Sequence, residues 1–205
     1  MDKLDLKKQL RELYTARAER PVIVDPEPAG YLMIDGRGDP NTASAYVAAI
    51  QALYTLSYTL KFAVKKSREL DYTVLPLEGL WWIPDMRDFM TASKDSWLWT
   101  AMIRQPDFIT VADVTAAKEE AKRKKKDNPA LDGVELATFD EGLSAQVLHV
   151  GPYAAEGPTI AALHAWISDN GYGRAGKHHE VYLNNPERTA PEKMKTIIRQ
   201  PVRKV

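Results

Sequence analysis

The chain has 205 residues, equal numbers of acidic and basic residues (28 each) and no cysteine. This length allows one large domain or two small ones, with burial of roughly two thirds of the unfolded surface. The absence of cysteine excludes disulfides, thiolate metal sites and thiol nucleophiles. Because the balanced charge provides no overall positive field, neither a nucleic acid nor an anionic membrane is expected as a partner.

The N-terminal residues do not resemble an export signal. Met1–Asp5 is rich in charge where a secretory signal needs an apolar run. No stretch approaches the roughly 18 apolar residues of a membrane span. We therefore expect a cytoplasmic protein.

The first half of the chain predicts an N-terminal helix and then the order β-α-β-β. Apolar residues at helical spacing favour helices, Asn41 or Thr42 could cap the longer one, and prolines and glycines mark the connections. The predicted elements are a helix over 4–14, a strand over Ala29–Ile34, a turn-rich run over 35–41, a helix with its apolar face from Val47 to Val64, and strands over 72–82 and 96–104.

The second half predicts the same order again. Its elements are a strand over Ala145–Val150, a helix carrying Ile160, Leu163, Trp166 and Ile167, a strand over His178–Leu183 and a last strand over Met194–Arg199. Asn170-Gly171 is a typical end for the helix.

Matched residues indicate that the two halves are copies of one unit. Three matches occur in chain order with shrinking offsets: Gly36 with Gly151, Glu78 with Glu180, and 102–106 with 197–201. Shorter loops in the second copy would produce this trend. We expect one domain over 1–205, made of a first β-α-β-β copy at 28–108, a helical linker at 109–143 and a second copy at 144–205. The expected fold class is α+β.

The linker is expected to be helical. Thr110 and Asp113 fit a capping box at its start. The helix runs into the basic segment 122–126, and Glu119 and Glu120 lie close enough before it to neutralise part of its charge. The segment is either a solvated linker helix or an anion-binding patch.

Glu78 and Glu180 are the candidate functional carboxylates, because each interrupts an otherwise apolar strand. Alternation along a strand places His178, Glu180 and Tyr182 on one face. At matched positions of a duplicated unit, the two glutamates can face each other. A buried carboxylate without a partner is unfavourable, which favours a binding or catalytic role. The alternative is a half-exposed residue or an ion pair with Arg104 or Arg199.

Aromatic residues form the second candidate group. The set is Trp81, Trp82, Trp97, Trp99 and Tyr153, of which four are tryptophans in two neighbouring strands. Trp97 and Trp99 share a face, and Leu98 and Met102 are natural helix-packing residues, so we expect the two tryptophans to point away from the helix. They would then line a flat-walled cage for a planar or cationic ligand; core packing is the alternative.

Other chemistry is not expected. His178 and His179 are consecutive in a strand and point to opposite faces, so no metal site is predicted there, and no cofactor is implied. Gly36-Arg37-Gly38 lacks the spacing of a nucleotide phosphate loop. No serine lies in a nucleophile-elbow pattern.

The sequence resembles the GyrI-like small-molecule-binding family. The likeness is carried by Gly151-Pro152-Tyr153, 178–183 and 195–201, and it extends to 77–82 and 35–41. It implies tandem β-α-β-β units in a pseudo-two-fold antiparallel scaffold with a central groove, where Glu180 meets a small aromatic or cationic ligand. The chain is similar to the stand-alone branch, some members of which hydrolyse the cyclopropane ring of duocarmycin-like alkylators.

This resemblance implies a site with Glu180 and Tyr153 as catalytic residues and Trp97, Trp99, Tyr182, Glu78 and His178 as ligand-binding residues. Glu180 would orient or deprotonate water, and Tyr153 or Tyr182 would hydrogen-bond a developing phenolate. The alternatives are a binder that sequesters xenobiotics, an inhibitor that docks on DNA gyrase, and a tetrapyrrole carrier.

Overall fold

Eleven strands and four helices occur within residues 2–124 and 128–205, the part of the chain that the computed structural model describes. The predicted α+β class is confirmed. The strands are β1 (Asp2–Leu4), β2 (Val22–Val24), β3 (Ala29–Arg37), β4 (Leu70–Tyr72), β5 (Leu77–Trp82), β6 (Leu98–Arg104), β7 (Glu135–Phe139), β8 (Ser144–Val150), β9 (Tyr172–Arg174), β10 (His178–Tyr182) and β11 (Lys195–Lys204). The helices are α1 (Leu6–Gln9), α2 (Ser44–Arg68), α3 (Val111–Arg123) and α4 (Gly157–Asp169).

The chain forms two compact units, each assembled from separate segments. Unit 1 consists of Met1–Gln9, Ala29–Leu77 and Ser93–Phe139. Unit 2 consists of Leu10–Pro28, Glu78–Ala92 and Asp140–Val205. The order β-α-β-β recurs along the chain as predicted, with the short strands β4 and β9 as additions. The boundaries predicted for the copies and the linker stay a prediction.

In unit 1, β3 pairs antiparallel with β6 on one side and with β7 on the other. Helix α2 contributes a buried stripe to the core at helical spacing, including Leu53, Leu56 and Leu60. Trp99 of β6 is 1% exposed and packs edge-on against Tyr46 of α2, with ring centroids 5.0 Å apart.

In unit 2 the strand order is β2-β8-β11-β10-β5, and β9 pairs with the far end of β11. The pairings of β11 with β8 and with β10 are antiparallel. Helix α4 packs Ile160, Leu163 and Ile167 against Val147 of β8 and Ile198 of β11. Register partners share a face of a sheet, so the face that carries Ile198 is the one that α4 covers.

Three sequence predictions are wrong or incomplete. The N-terminal helix covers only Leu6–Gln9, because residues 2–4 pair with β4 and the chain passes from unit 1 to unit 2 after Gln9. The N-cap position of helix α2 is occupied by Ala43, whose side chain cannot accept a hydrogen bond, and not by Asn41 or Thr42. The predicted linker also contains strand β7, which pairs with β3.

The linker helix itself is confirmed. Helix α3 begins with the predicted capping box, in which Thr110 and Asp113 exchange hydrogen bonds. Glu120 pairs with Arg123 and Lys124, which neutralises part of the basic run on its own helix. The remaining basic residues of that run, Lys125 and Lys126, lie outside the described residues.

Helix α2 departs from the expectation that no segment is apolar enough to span a membrane. By length and composition alone it would be able to do so, and it is the one such helix among the described residues. Core helices of globular domains pass the same test. The buried stripe of α2 within unit 1 marks it as a core helix.

Gly36 leaves the space that Trp99 occupies, and this generates a stability prediction. The two residues are register partners, and a Cβ added at Gly36 would overlap the Trp99 indole. We expect Gly36→Ala to reduce the free energy of unfolding by roughly 1–3 kcal/mol through overpacking, measured by chemical denaturation. Gly30→Ala in the same strand is the matched control, since its Cβ would lie 3.8 Å from Leu136. Equal effects of the two substitutions would contradict the prediction.

Candidate functional site

Strand β10 separates two polar clusters, one on each face of the unit 2 sheet. Glu180 is the register partner of Ile198, so it lies on the face that α4 covers. His179 is the register partner of Arg199 and lies on the opposite face. The predicted alternation along this strand is confirmed by the hydrogen bonds on each face.

On the α4 face, both oxygens of the Glu180 carboxyl group have hydrogen-bond partners. The Tyr182 hydroxyl donates to Oε2 at 2.7 Å, and His178 Nε2 lies 3.0 Å from Oε1. The Phe89 ring contacts the His178 ring, with centroids 5.5 Å apart. Glu180 is 8% exposed. Each carboxylate oxygen can accept more than one hydrogen bond, so Glu180 is held in place and can still accept a proton or a donor.

Tyr182, a partner of this carboxyl group, is itself in contact with two other aromatic side chains. Trp81 Nε1 donates to the Tyr182 hydroxyl at 3.1 Å, which makes a short relay from Trp81 through Tyr182 to Glu180. Tyr153 meets the Tyr182 ring edge-on, with centroids 5.5 Å apart, and is itself 37% exposed. This set of π-faces and a carboxylate is suited to a planar or cationic small molecule.

Two glycines allow the aromatic arrangement. A Cβ at Gly79 would lie 2.8 Å from Trp81 Nε1 and 3.0 Å from the Tyr182 hydroxyl, so a larger residue would displace the relay. Gly151 has a φ of +142°, a conformation that favours glycine, and it directs the chain from β8 into the turn that presents Tyr153.

On the opposite face, a buried chain of charged and polar groups crosses unit 2. The Tyr14 hydroxyl donates to Glu78 Oε1 at 2.7 Å, and Glu78 Oε2 lies 3.0 Å from His179 Nε2. The other nitrogen of that ring, His179 Nδ1, lies 2.7 Å from Glu141 Oε1. Arg199 Nη1 donates to Glu141 Oε2 at 3.0 Å and ends the chain. Arg199 also donates to Gln146 Oε1 at 3.0 Å and to the Leu13 carbonyl at 2.6 Å.

The protonation state of this chain follows from its charges. Burial by itself lowers the pKa of His179, but the Glu141 charge and hydrogen bonds to Glu141 and Glu78 outweigh burial and raise the pKa to about 9. Burial opposes ionisation of Glu141, yet the positive charges of His179 and Arg199 hold its pKa below the usual value. At neutral pH His179 is therefore a cation that donates to both carboxyl groups.

Glu78 and Glu180 do not face each other, so that expectation is wrong. Glu78 bonds to His179 on one face of the sheet, whereas Glu180 bonds to His178 and Tyr182 on the other. Matched positions in two copies do not ensure that both side chains turn to the same layer. Glu78 thus belongs to the buried chain, and its role as a ligand-binding residue stays a prediction.

The structure places Trp97 and Trp99 in unit 1, whereas the Glu180 cluster belongs to unit 2. Trp99 packs against Tyr46 of α2, so the expectation that it points away from the helix is wrong. Gln105, directly after β6, lies an even number of residues from Trp99 and also reaches α2, where its amide donates to Ser57. Lys94 Nζ lies 5.2 Å from the centroid of the Trp97 ring. The assignment of Trp97 and Trp99 as cage residues stays a prediction.

Sequence reasoning missed several residues of these clusters. Trp81 was an aromatic candidate, but its bond to Tyr182 could be inferred only from the pairing of β10 and β5. Glu141 and Tyr14 lie outside the duplicated strands, where no pattern singles them out. The alternative interpretation is an ion pair between one of the two candidate glutamates and Arg104 or Arg199. Arg199 does form an ion pair, but with Glu141. Within the described ranges, no group of three or more His, Cys, Asp or Glu residues is arranged to hold a metal ion.

A model of the GyrI-like small molecule binding domain matches residues 20–203. The chain belongs to the GyrI-like family. The sequence resemblance is thereby confirmed, and the protein is a small-molecule-binding domain. No curated protein matches the chain significantly.

Three solved structures are similar to this GyrI-like chain. An uncharacterized conserved protein from Listeria innocua is 38% identical, with 98% of this chain and 100% of that chain covered and a TM-score of 0.89. A hydrolase from Listeria innocua is 37% identical at the same coverage, with a TM-score of 0.84. The C-terminal domain of EcmrR is 15% identical, with 91% and 98% covered and a TM-score of 0.57, a likeness of fold alone.

The buried chain generates a pH prediction. Because the pKa of His179 rises from 6.5 to about 9 on folding, its stabilising charge is fully present below pH 6.5 and is lost as the pH rises through 9. We expect the free energy of unfolding to fall by roughly 3 kcal/mol across that range, measured by urea denaturation. In His179→Gln this part of the pH dependence should disappear. Parallel pH profiles for wild type and variant would show that His179 does not carry the effect.

Proposed function

We propose that this protein is a cytoplasmic hydrolase of small planar aromatic compounds, with the cyclopropane-fused dienones of duocarmycin-like alkylators as its substrate class. The observation that carries the proposal is the Glu180 carboxyl group, held through both oxygens by His178 and by Tyr182. Tyr182 in turn contacts the aromatic side chains of Tyr153 and Trp81. The similarity to a structure described as a hydrolase supports catalysis.

The aromatic residues would bind the substrate. Stacking against the partly exposed Tyr153 and Tyr182 would place a flat ring system beside Glu180. A basic substituent would be attracted by the carboxylate and the π-faces. Because the strained ring supplies most of the driving force, the protein needs mainly to position the reactants.

Glu180 would act on the attacking water. The water oxygen bonds to a cyclopropane carbon as the C–C bond to the spiro carbon breaks, and the electron pair of that bond moves into the dienone to form a phenolate. Glu180 takes one water proton, and that proton is passed finally to the phenolate oxygen, so the product is the substrate plus one water. Tyr153 would hydrogen-bond the developing phenolate.

Binding without reaction is the second candidate function, since the family match is to a small-molecule-binding domain. In that case Glu180 serves as the counter-ion of a cationic ligand, and the compound is recovered unchanged. The two functions share the same site and differ in the fate of the ligand.

Glu180→Gln tests the role of the carboxylate. We expect hydrolysis to slow by roughly 100-fold or more, because the amide cannot take a proton from water. Product formation should be followed by mass spectrometry as addition of one water to a cyclopropane-fused dienone. Glu187→Gln, on an exposed loop residue, is the control. Hydrolysis by wild type at the uncatalysed rate, with saturable binding, would leave only the binding function, and full activity of Glu180→Gln would exclude Glu180 as the base.

A double-mutant cycle tests the relay from Trp81 to Glu180. Tyr182→Phe removes a hydrogen bond to a charged group, so we expect kcat to fall by roughly tenfold or more. Trp81→Phe should have a smaller effect, and the double variant should be no slower than Tyr182→Phe, because Trp81 acts through the Tyr182 hydroxyl. Additive effects of the two substitutions would show that Trp81 acts on the ligand independently.

A further inference from the structure

The two copies place an arginine at the same position of their last strand. Arg104 and Arg199 occupy equivalent places in the matching segments 102–106 and 197–201. Their register partners are Tyr31 and Gln146, which are equivalent residues of the first strand of each copy. The surroundings of Arg199 in the second copy therefore show which hydrogen-bond partners a buried arginine can have at this position.

Every guanidinium nitrogen of Arg199 has a hydrogen-bond partner in its own chain. It is 2% exposed, and its guanidinium donates to the carboxylate of Glu141, the side-chain oxygen of Gln146 and the carbonyl of Leu13. The carboxylate supplies the opposite charge, and each of the three guanidinium nitrogens donates one hydrogen bond. A buried guanidinium is stable under these conditions.

Arg104 has no equivalent partners in the part of the chain that the structure describes. It is 8% exposed, and its Nη1 is buried without a hydrogen-bond partner among residues 2–124 and 128–205. The amide of Gln146 is replaced by Tyr31, which is 5% exposed and meets the Phe139 ring edge-on. A buried cation without an opposing charge is strongly unfavourable. The position therefore calls for an acceptor that the described chain does not provide.

We propose that Arg104 is the centre of a binding site for a small carboxylate, which supplies in the first copy what Glu141 supplies in the second. The fork of the guanidinium matches a carboxylate through two parallel N–H···O bonds, so this ligand class satisfies both the charge and the unpartnered Nη1. The site belongs to unit 1 and does not depend on hydrolysis at Glu180.

Thermal unfolding in acetate or formate tests the site, with chloride of equal ionic strength as the reference. We expect the carboxylates to raise the Tm of wild type by about 2 °C or more in a saturable manner. Arg104→Met should show no such rise, and in chloride it should be at least as stable as wild type, because an apolar side chain replaces an unpaired cation. Equal responses of wild type and variant would mean a general salt effect and would overturn the proposal.

A measurement on the wild-type protein keeps the test independent of how the variant folds. In ¹H–¹⁵N spectra of the arginine Nε–H groups, the Arg104 signal should move saturably with acetate. The Arg199 signal should stay in place, because its Nε already donates to Gln146. Phosphate in place of acetate tests whether the site prefers planar or tetrahedral anions. A saturable Arg104 shift with phosphate alone, or with neither anion, would overturn the assignment of a carboxylate site.

Discussion

Buried charge requires opposite charge, and this constraint organises unit 2. The chain from Tyr14 through Glu78, His179 and Glu141 to Arg199 draws on all three segments that make up the unit. Its acidic and basic groups alternate, so the positive charge on His179 is stabilised although the residue is fully buried. His179 and Glu180 are consecutive residues of β10 and lie on opposite faces of the sheet. The hydrogen bonds of His179 on one face therefore fix the strand that carries Glu180 on the other face.

The duplication supplied a scaffold and then diverged in its polar residues. Glu78 and Glu180 occupy matched positions but turn to opposite faces, so one contributes to the buried chain and the other to the aromatic cluster. Arg104 and Arg199 differ in a comparable way: Arg199 donates to the carboxylate of Glu141, whereas Arg104 Nη1 has no hydrogen-bond partner among residues 2–124 and 128–205. Small changes in partner residues thus convert one repeated framework into sites of different chemistry.

The chain belongs to a family of small-molecule-binding domains, and the Glu180 cluster has a fixed geometry of the kind that binding favours. A carboxylate held through both oxygens has little freedom to relax toward an arriving ligand. Such preorganisation favours catalysis and selective binding alike, because the protein does not have to reorder the group when the ligand arrives. Gly79 contributes by leaving the space that the Trp81 and Tyr182 groups fill.

The sequence by itself determined the α+β class, the repeated β-α-β-β order and the grouping of His178, Glu180 and Tyr182. These depend on periodicity along single strands and helices, which is a local property. Only the tertiary structure decided that Glu78 turns away from Glu180, that Glu141 pairs with Arg199, and that Trp99 packs on α2. Alternation shows which residues of one strand share a face. It does not show which layer covers that face or which partners lie there, because these depend on how distant segments pack. Glu78 and His179, for example, are hydrogen-bonded although they are 101 positions apart.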